Sequence, residues 1–429
     1  MIEDAKPAGK ESLAPAVHNP APAEARPTRA PAEEAAQPDV EHAIEKIEDA
    51  MGDRDAVEVP VIRVNEVEKA SFRESLNSTL LSSTAQLPTW LTGFGPCRGL
   101  SSGHLQTIVG NFLPRPAFLL ESTAEEVEVD PADGSRVLCH CHWQPAEGRQ
   151  ARLTLVLIHG LEGSSDSRYI RGIAARAWAA GFNIVRMNMR NCGGTERLTP
   201  TLYHSGLSGD VAAVVRHFAA RFGLRRVALV GYSMGGNLAL KFAGECGPNT
   251  PLAAVAAVCP AIDLAPSADA LHQPANRIYE YHFLRALMSH FRRKAQLYPA
   301  IYGVAPVGRI GSIRQFDDRI VARYCGFRDA DDYYYRAAAA RVVDRIAVPT
   351  LILCAQDDPF IRFLPDTRAA LRANPHIAFV ETRHGGHCAY LGRGQGDAIH
   401  WAEAAVIRFL QAALAQAPSL SAPAVSTLQ

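Results

Sequence analysis

The chain shows a regular succession of apolar runs and amphipathic segments only from Pro88 onward. From there, short runs that are apolar throughout are separated by segments of helical periodicity. The predicted strands are 136–143, 153–160, 183–189, 227–231, 252–260, 349–355 and 376–382, and the predicted helices lie near 168–180, 208–222, 365–373 and 398–414, with another directly after Asn237. Strands without a polar face, alternating with helices, are typical of a mostly parallel sheet covered on both faces. The pattern therefore predicts a doubly wound α/β domain.

A long segment between the fifth and sixth predicted strands has no strand pattern and exceeds what a loop in a compact domain spans. We expect a helical insertion at about 265–346. It is rich in aromatic residues: Tyr279, Tyr281, Tyr298, Tyr302, Tyr324, Tyr333, Tyr334, Tyr335, Phe283, Phe291, Phe316 and Phe327. A segment with so many rings is suited to form a lid over an apolar pocket. The alternative interpretation is that the rings only pack the insertion onto the sheet.

The two ends of the chain differ from the rest in composition. Residues 1–86 are rich in Ala, Pro and Glu and poor in aromatics, although 61–86 is ambiguous. Such a segment buries too little apolar surface to offset its chain entropy, which predicts a disordered extension. The folded domain is expected at 87–414, followed by a flexible tail at 415–429.

Charge and cysteine content restrict the partners and the compartment. The 44 basic and 44 acidic residues balance, which disfavours nucleic acid as a partner and favours a neutral or small substrate. The nine cysteines are odd in number and include no C-x-x-C pair, as expected for reduced thiols in a cytoplasmic protein. No signal peptide and no apolar run of ~18 residues is found, so we expect a soluble protein without an integral membrane segment.

The stretch "VALVGYSMGGN" (227–237) places Ser233 between two glycines at the end of an apolar run. A strand that ends in Gly-x-Ser-x-Gly and enters a helix is typical of a nucleophile elbow. A glycine-rich turn that only packs a helix against the sheet is the alternative interpretation.

A serine nucleophile needs a base that is oriented by an acid, and in hydrolases with this elbow the acid and then the base follow it in the chain. After the strand at 349–355 the candidates for the acid are Asp357 and Asp358, and after the strand at 376–382 those for the base are His384 and His387. We favour Asp358, which stands just before a proline, and His387, because the two glycines before it let the loop fold back.

The oxyanion that forms on attack needs two backbone N–H donors. Met234, directly after the serine, is expected to supply one, and Leu161 in "LIHGLEGS" (157–164) the other. His140 and His142 share one strand face, but no third ligand stands nearby, so no metal site is predicted there. A serine hydrolase of this kind is also expected to need no organic cofactor.

Eight short motifs can be compared with known families: "SGHLQTI" (102–108), "HGLEG" (159–163), "MRNCGG" (189–194), "LYHSG" (202–206), "GYSMGGN" (231–237), "FDD" (316–318), "DDPF" (357–360) and "GGH" (385–387). Together they resemble the YheT-type branch of the α/β-hydrolases, bacterial esterases related to eukaryotic membrane-anchored phospholipases and yeast medium-chain ethyl ester synthases. The resemblance implies an α/β-hydrolase fold over about 88–412, with Ser233, Asp358 and His387 as the catalytic triad. It also implies medium-chain acyl esters as the substrate class.

Within "SSGHLQT" (101–107), either serine could cap a helix, and His104 and Gln106 could line the mouth of the site.

The sequence thus predicts a serine carboxylesterase that cleaves short- to medium-chain acyl esters through an acyl-enzyme. The same triad would also serve an acyltransferase, an ethyl-ester synthase, or a lipase acting on acylglycerols or phospholipids. A binding scaffold without catalysis is disfavoured because every triad candidate is present.

Overall fold

The computed structural model describes residues 87–416, apart from 116, 117, 119, 304–307 and 394–398. The predicted extension at 1–86 lies outside the described residues, as do residues 417–429 of the predicted tail at 415–429. Eight strands form one sheet in the described part of the chain: β1 (Thr123–Asp130), β2 (Ser135–His142), β3 (Thr154–Ile158), β4 (Asn183–Met187), β5 (Val227–Tyr232), β6 (Leu252–Val258), β7 (Thr350–Ala355) and β8 (Ile377–Thr382).

The strand order is β1-β2-β4-β3-β5-β6-β7-β8. The six strands from β4 to β8 in this order run parallel, while β2 pairs antiparallel with both β1 and β4. The mostly parallel sheet is confirmed, but β1 was missed. Its sequence TAEEVEVD leaves most side chains at least partly exposed and buries only Val127 fully, so the apolar pattern that identifies the other strands is absent.

The α-helices connect and cover these strands. They are α1 (Thr89–Thr92), α2 (Gly103–Phe112), α3 (Arg168–Ala179), α4 (Ser208–Phe222), α5 (Met234–Cys246), α6 (Leu264–Leu271), α7 (Arg277–Leu297), α8 (Pro299–Tyr302), α9 (Ile313–Phe316), α10 (Arg323–Cys325), α11 (Ala330–Ala337), α12 (Pro365–Ala373) and α13 (Trp401–Gln416). A π-helical turn, Asp317–Ala322, joins α9 to α10.

Two apolar cores lie on opposite faces of the sheet. On one face, α3 and α13 contribute side chains such as Ile173 and Phe409. On the other, α4 and α5 pack against the strands, and Leu287 of α7 belongs to the same core. Strands β3 to β7 are buried over nearly their whole length, as their unbroken apolar runs predict.

In its described residues, the segment between β6 and β7 is built of helices and irregular chain, from α6 to α11. All nine cysteines lie in the described part of the chain and are free thiols. None of the described helices is long and apolar enough to span a membrane.

Candidate active site

Ser233 lies in a sharp turn between β5 and α5, with φ 53° and ψ −118°. This conformation is costly for a residue with a side chain and is found mostly at functional sites. A Cβ on Gly231 would lie 2.2 Å from the carbonyl oxygen of Gly235, and a Cβ on Gly235 would lie 2.4 Å from two carbonyl oxygens of the β3 end. The glycines flank Ser233 because no side chain fits there, which is the geometry of a nucleophile elbow.

Asp358 and His387 form a buried pair at the carboxyl ends of β7 and β8. His387 Nδ1 donates to Asp358 Oδ2 at 2.8 Å, and Asp358 Oδ1 accepts the N–H groups of Phe360 and Ile361 at 3.1 and 2.9 Å. Burial lowers the pKa of His387, but the charge and the hydrogen bond of Asp358, with the Cys259 thiol beside the ring, outweigh it and hold the pKa above 6.5. His387 is therefore a strong base held in one orientation.

The alternative candidates form a second pair. Asp357 Oδ1 accepts the Gly386 N–H at 2.9 Å, and its Oδ2 lies 3.4 Å from His384 Nδ1. Asp357 therefore holds the backbone of the loop that carries His387, while Asp358 holds its ring.

Ser233 opens onto an apolar cavity of about 120 Å³. Phe360 lines the same cavity and packs against His387, with ring centroids 4.3 Å apart. Among the described residues the Ser233 hydroxyl has no hydrogen-bond partner, His387 included. Such bonds are often long in ligand-free enzymes and tighten when substrate binds. The structure pairs Asp358 with His387, the favoured candidates for acid and base, and places Ser233 on the wall of the cavity whose Phe360 contacts His387.

Leu161 and Met234, the expected oxyanion donors, both line this cavity. Neither backbone N–H donates a hydrogen bond to another described residue. His159 fixes the loop before Leu161: its Nδ1 donates to Gly160 O at 2.8 Å and its Nε2 accepts the Met189 N–H at 3.1 Å. Burial lowers the pKa of His159 to about 4, so this ring is neutral and structural.

Comparison with known proteins identifies the family. A family model described as the alpha/beta hydrolase fold matches residues 154–393. The chain is also 32% identical over 320 residues to the putative esterase YheT of Escherichia coli (strain K12). The aligned region covers 73% of this chain and 91% of YheT. The chain belongs to the α/β-hydrolase family.

Two eukaryotic relatives are similar over shorter stretches. The phospholipase ABHD3 of Mus musculus is 31% identical over 241 residues, 56% of this chain and 59% of that protein. The medium-chain fatty acid ethyl ester synthase/esterase 2 of Saccharomyces cerevisiae is 30% identical over 292 residues, 61% of this chain and 63% of that protein. The predicted class of enzyme is confirmed: this α/β-hydrolase is a carboxylic ester hydrolase of the esterase and lipase group.

Helix α2 of the hydrolase supports the histidine loop. Thr107 Oγ1 accepts the His387 N–H at 2.8 Å, and buried Gln106 both accepts from and donates to the backbone of Leu391, at 2.7 and 3.1 Å. Ser102 precedes the helix but makes no side-chain cap, contrary to the suggested capping role. Sequence reasoning missed Thr107 because its partner lies 280 residues away.

Asn237 ties the elbow helix to two other segments of the hydrolase. Its Nδ2 donates to Ser205 O and Ala337 O, both at 2.9 Å, and its Oδ1 accepts the Ala339 N–H at 2.8 Å. Ser205 belongs to the motif "LYHSG", and Ala337 ends α11 of the insertion. The asparagine of "GYSMGGN" therefore anchors the insertion beside Ser233.

The rings of the insertion lie in different surroundings. Phe283, Phe291, Phe316, Tyr333 and Tyr334 line the cavity. Tyr281 and Tyr335 are exposed instead, at 66% and 61%. The five cavity rings fit the interpretation of a lid over an apolar pocket, and buried Tyr302 fits that of rings that pack the insertion onto the rest of the fold, since its hydroxyl donates to Pro200 O at 2.7 Å. The two exposed rings fit neither interpretation.

His140 and His142 take separate partners. His140 Nδ1 lies 3.1 Å from Ser122 Oγ, and His142 Nδ1 donates to Glu121 O at 3.1 Å. Neither belongs to a group of three metal-binding side chains among the described residues.

Proposed function

We propose that this hydrolase is a serine carboxylesterase in which Ser233, His387 and Asp358 are nucleophile, base and orienting acid. The observation that carries the proposal is the strained Ser233 on the wall of an apolar cavity whose Phe360 packs against the His387 ring of a buried Asp358–His387 pair. Its substrate is a short- to medium-chain acyl ester. A cytoplasmic location is supported by its nine free cysteines.

Acylation begins when His387 Nε2 takes the proton of the Ser233 hydroxyl and Oγ attacks the ester carbonyl. The carbonyl oxygen becomes an anion, which the N–H groups of Leu161 and Met234 stabilise. When the tetrahedral intermediate collapses, the bond to the alkoxy oxygen breaks and His387 gives its proton to the departing alcohol. Asp358 stabilises the imidazolium through Nδ1.

Deacylation repeats these steps with water. His387 removes a proton from water, hydroxide attacks the acyl-enzyme, and the same two amides hold the oxyanion. Collapse releases the carboxylic acid and returns the proton to Ser233. Apart from the ester and water, every step uses groups of this chain.

The cavity suggests where the acyl chain binds. Its walls are mostly apolar, with Leu271, Leu287 and Phe291 among them. Each methylene buried there should contribute ~0.8 kcal/mol until the space is filled.

A second candidate function is acyl transfer to an alcohol. The same acyl-enzyme can be resolved by an alcohol in place of water, and the 30% identity to the yeast ethyl ester synthase/esterase favours testing it. Hydrolysis in the presence of ethanol, followed by product analysis, separates the two: ethyl esters show transfer, and free acid alone shows hydrolysis.

The decisive variant is Ser233→Ala. It should abolish p-nitrophenyl ester turnover and fluorophosphonate labelling while the fold is kept, since removing a triad serine costs ~10⁶-fold in kcat. Ser289→Ala, on α7, is the matched control and should behave as wild type. Retention of more than about a tenth of the wild-type rate by a folded Ser233→Ala chain would remove Ser233 as the nucleophile, given that magnitude.

A further inference from the structure

Two cysteines that the proposed mechanism does not use lie beside His387. The sulfurs of Cys259 and Cys388 and a ring nitrogen of His387 all lie within 4.8 Å of one another. Cys259 directly follows β6 and is fully buried, while Cys388 follows His387 in the chain and is partly exposed. Among the described residues, these are the three side chains that the fold brings together as a group of potential metal ligands.

The backbone holds the two thiols in place. Cys259 and Cys388 both have left-handed conformations, with φ 45° and 63°. Positive φ is uncommon for residues other than glycine, and it persists only where the surroundings enforce it. The Cys388 N–H donates to Cys259 Sγ at 3.2 Å, so the two turns are fastened to each other.

The donor set and its spacing suit a soft, tetrahedral cation. Thiolate and imidazole are the ligands that Zn²⁺ prefers, and bond lengths of ~2.3 Å to sulfur and ~2.0 Å to nitrogen put neighbouring ligand atoms roughly 3.5–3.8 Å apart. Since the three ligand atoms lie within 4.8 Å of one another, they need to approach by no more than about 1 Å to meet this geometry.

Asp358 completes the arrangement. Because it already accepts from His387 Nδ1, Nε2 is the nitrogen whose lone pair is available. A carboxylate that holds the far nitrogen of a metal-bound histidine is a recurrent second partner in zinc sites.

We propose that Cys259, His387 and Cys388 form a binding site for Zn²⁺ that switches the esterase off. On binding, both thiols release their protons to solvent, and the sulfur and Nε2 lone pairs bind the ion, leaving one position for water. His387 Nε2 can then no longer take the Ser233 proton. The inhibition rests on the proposed role of His387, whereas the binding does not.

Zinc binding is tested first on the Ser233→Ala chain, in which hydrolysis plays no part. Equilibrium dialysis against buffered Zn²⁺ should give one ion per chain. Cys259→Ala and Cys388→Ala, each checked for native fold by near-UV circular dichroism, should weaken binding at least tenfold, and Asp358→Asn about 10–100-fold. Cys246→Ala, a partly exposed cysteine at the end of α5, is the control and should leave binding unchanged. Wild-type affinity in both Cys259→Ala and Cys388→Ala, or no binding at all, would overturn the proposal.

Inhibition is tested on the wild-type enzyme. Zn²⁺ should suppress ester hydrolysis over the concentration range in which it binds, EDTA should restore it, and Cys388→Ala should need at least tenfold more Zn²⁺. Zinc binding in a chain that hydrolyses no ester would support the site and remove the proposed esterase. Hydrolysis that Zn²⁺ never inhibits would overturn the switch and leave the esterase standing.

Discussion

At the residue scale, Asp357 and Asp358 stand side by side in the chain but hold different partners. Asp358 contacts the His387 ring, whereas Asp357 accepts the backbone N–H of Gly386. Both carboxylates support the same loop, but only one charge touches the proposed base. Their substitution should therefore have unequal effects.

Asp358→Asn should lower kcat by about 10⁴, because the amide favours the wrong tautomer of His387. Asp357→Asn should cost much less, since an amide oxygen can still accept from Gly386. Steady-state kinetics with p-nitrophenyl butyrate measures both. A larger loss in Asp357→Asn would make Asp357 the orienting acid.

The pH dependence of the reaction should report His387. Asp358 holds the pKa of His387 above 6.5, so near neutral pH part of the free enzyme carries an imidazolium that cannot accept the serine proton. We expect kcat/KM for a neutral ester to rise with pH, with a midpoint above 6.5. Asp358→Asn removes the charge that raises this pKa and should move the midpoint to lower pH. A wild-type midpoint at or below 6.5 would contradict this account.

At the element scale, α7 has one face toward the cavity and another toward solvent. Phe283 and Leu287 line the cavity, whereas Tyr281 on the same helix is 66% exposed. If the insertion selects the acyl chain, it does so through the inward face.

Phe283→Ala should enlarge the cavity and shift the preferred substrate to longer acyl chains, with a loss for butyrate because fewer apolar contacts hold it. Tyr281→Ala should leave the profile unchanged. We would measure kcat/KM across p-nitrophenyl esters from acetate to palmitate in both variants. The same profile in Phe283→Ala and wild type would mean that this face of α7 does not select the acyl chain.

At the scale of the whole molecule, Glu403 of α13 joins distant segments. Its two oxygens contact Arg115, which follows α2, at 2.7 Å and Arg176 of α3 at 3.1 Å, and the three side chains are nearly fully buried. Removing one member of such a network leaves buried charge uncompensated.

Glu403→Gln should therefore destabilise the fold by about 3–5 kcal/mol in urea unfolding near neutral pH. Burial raises the pKa of Glu403, but the arginines and His400 outweigh it and hold the pKa below 4.5. Because folding lowers its pKa, the Glu403 carboxylate stabilises the folded state fully above pH 4.5. This stability is lost as the pH falls through the pKa of the folded state. The variant should therefore lose less stability on acidification than wild type.

Glu126→Gln, which breaks the exposed pair with Arg136, is the control and should cost less than about 1 kcal/mol. Equal costs at the two sites would contradict the importance of burial.

The sequence by itself determined the strands from β2 to β8, the five helices α3, α4, α5, α12 and α13, the helical character of the insertion between β6 and β7, and the elbow at Ser233. These features depend on local causes: an unbroken apolar run marks a buried strand, and the crowding at Gly231 and Gly235 arises within one turn and the strand beside it. Strand β1 escaped prediction because its mostly exposed side chains carry no apolar pattern.

Only the tertiary structure decided which of two neighbouring aspartates meets His387, that Thr107 holds the histidine loop, and that Cys259 lies beside Cys388. Each of these contacts joins residues 29 to 280 positions apart. The distances in space between these residues depend on how β6, β7 and β8 align and on where α2 packs. Neither arrangement produces a periodic pattern in the sequence. The local sequence was enough to identify the candidate residues, whereas the packing of the sheet and of α2 determined which of them are in contact.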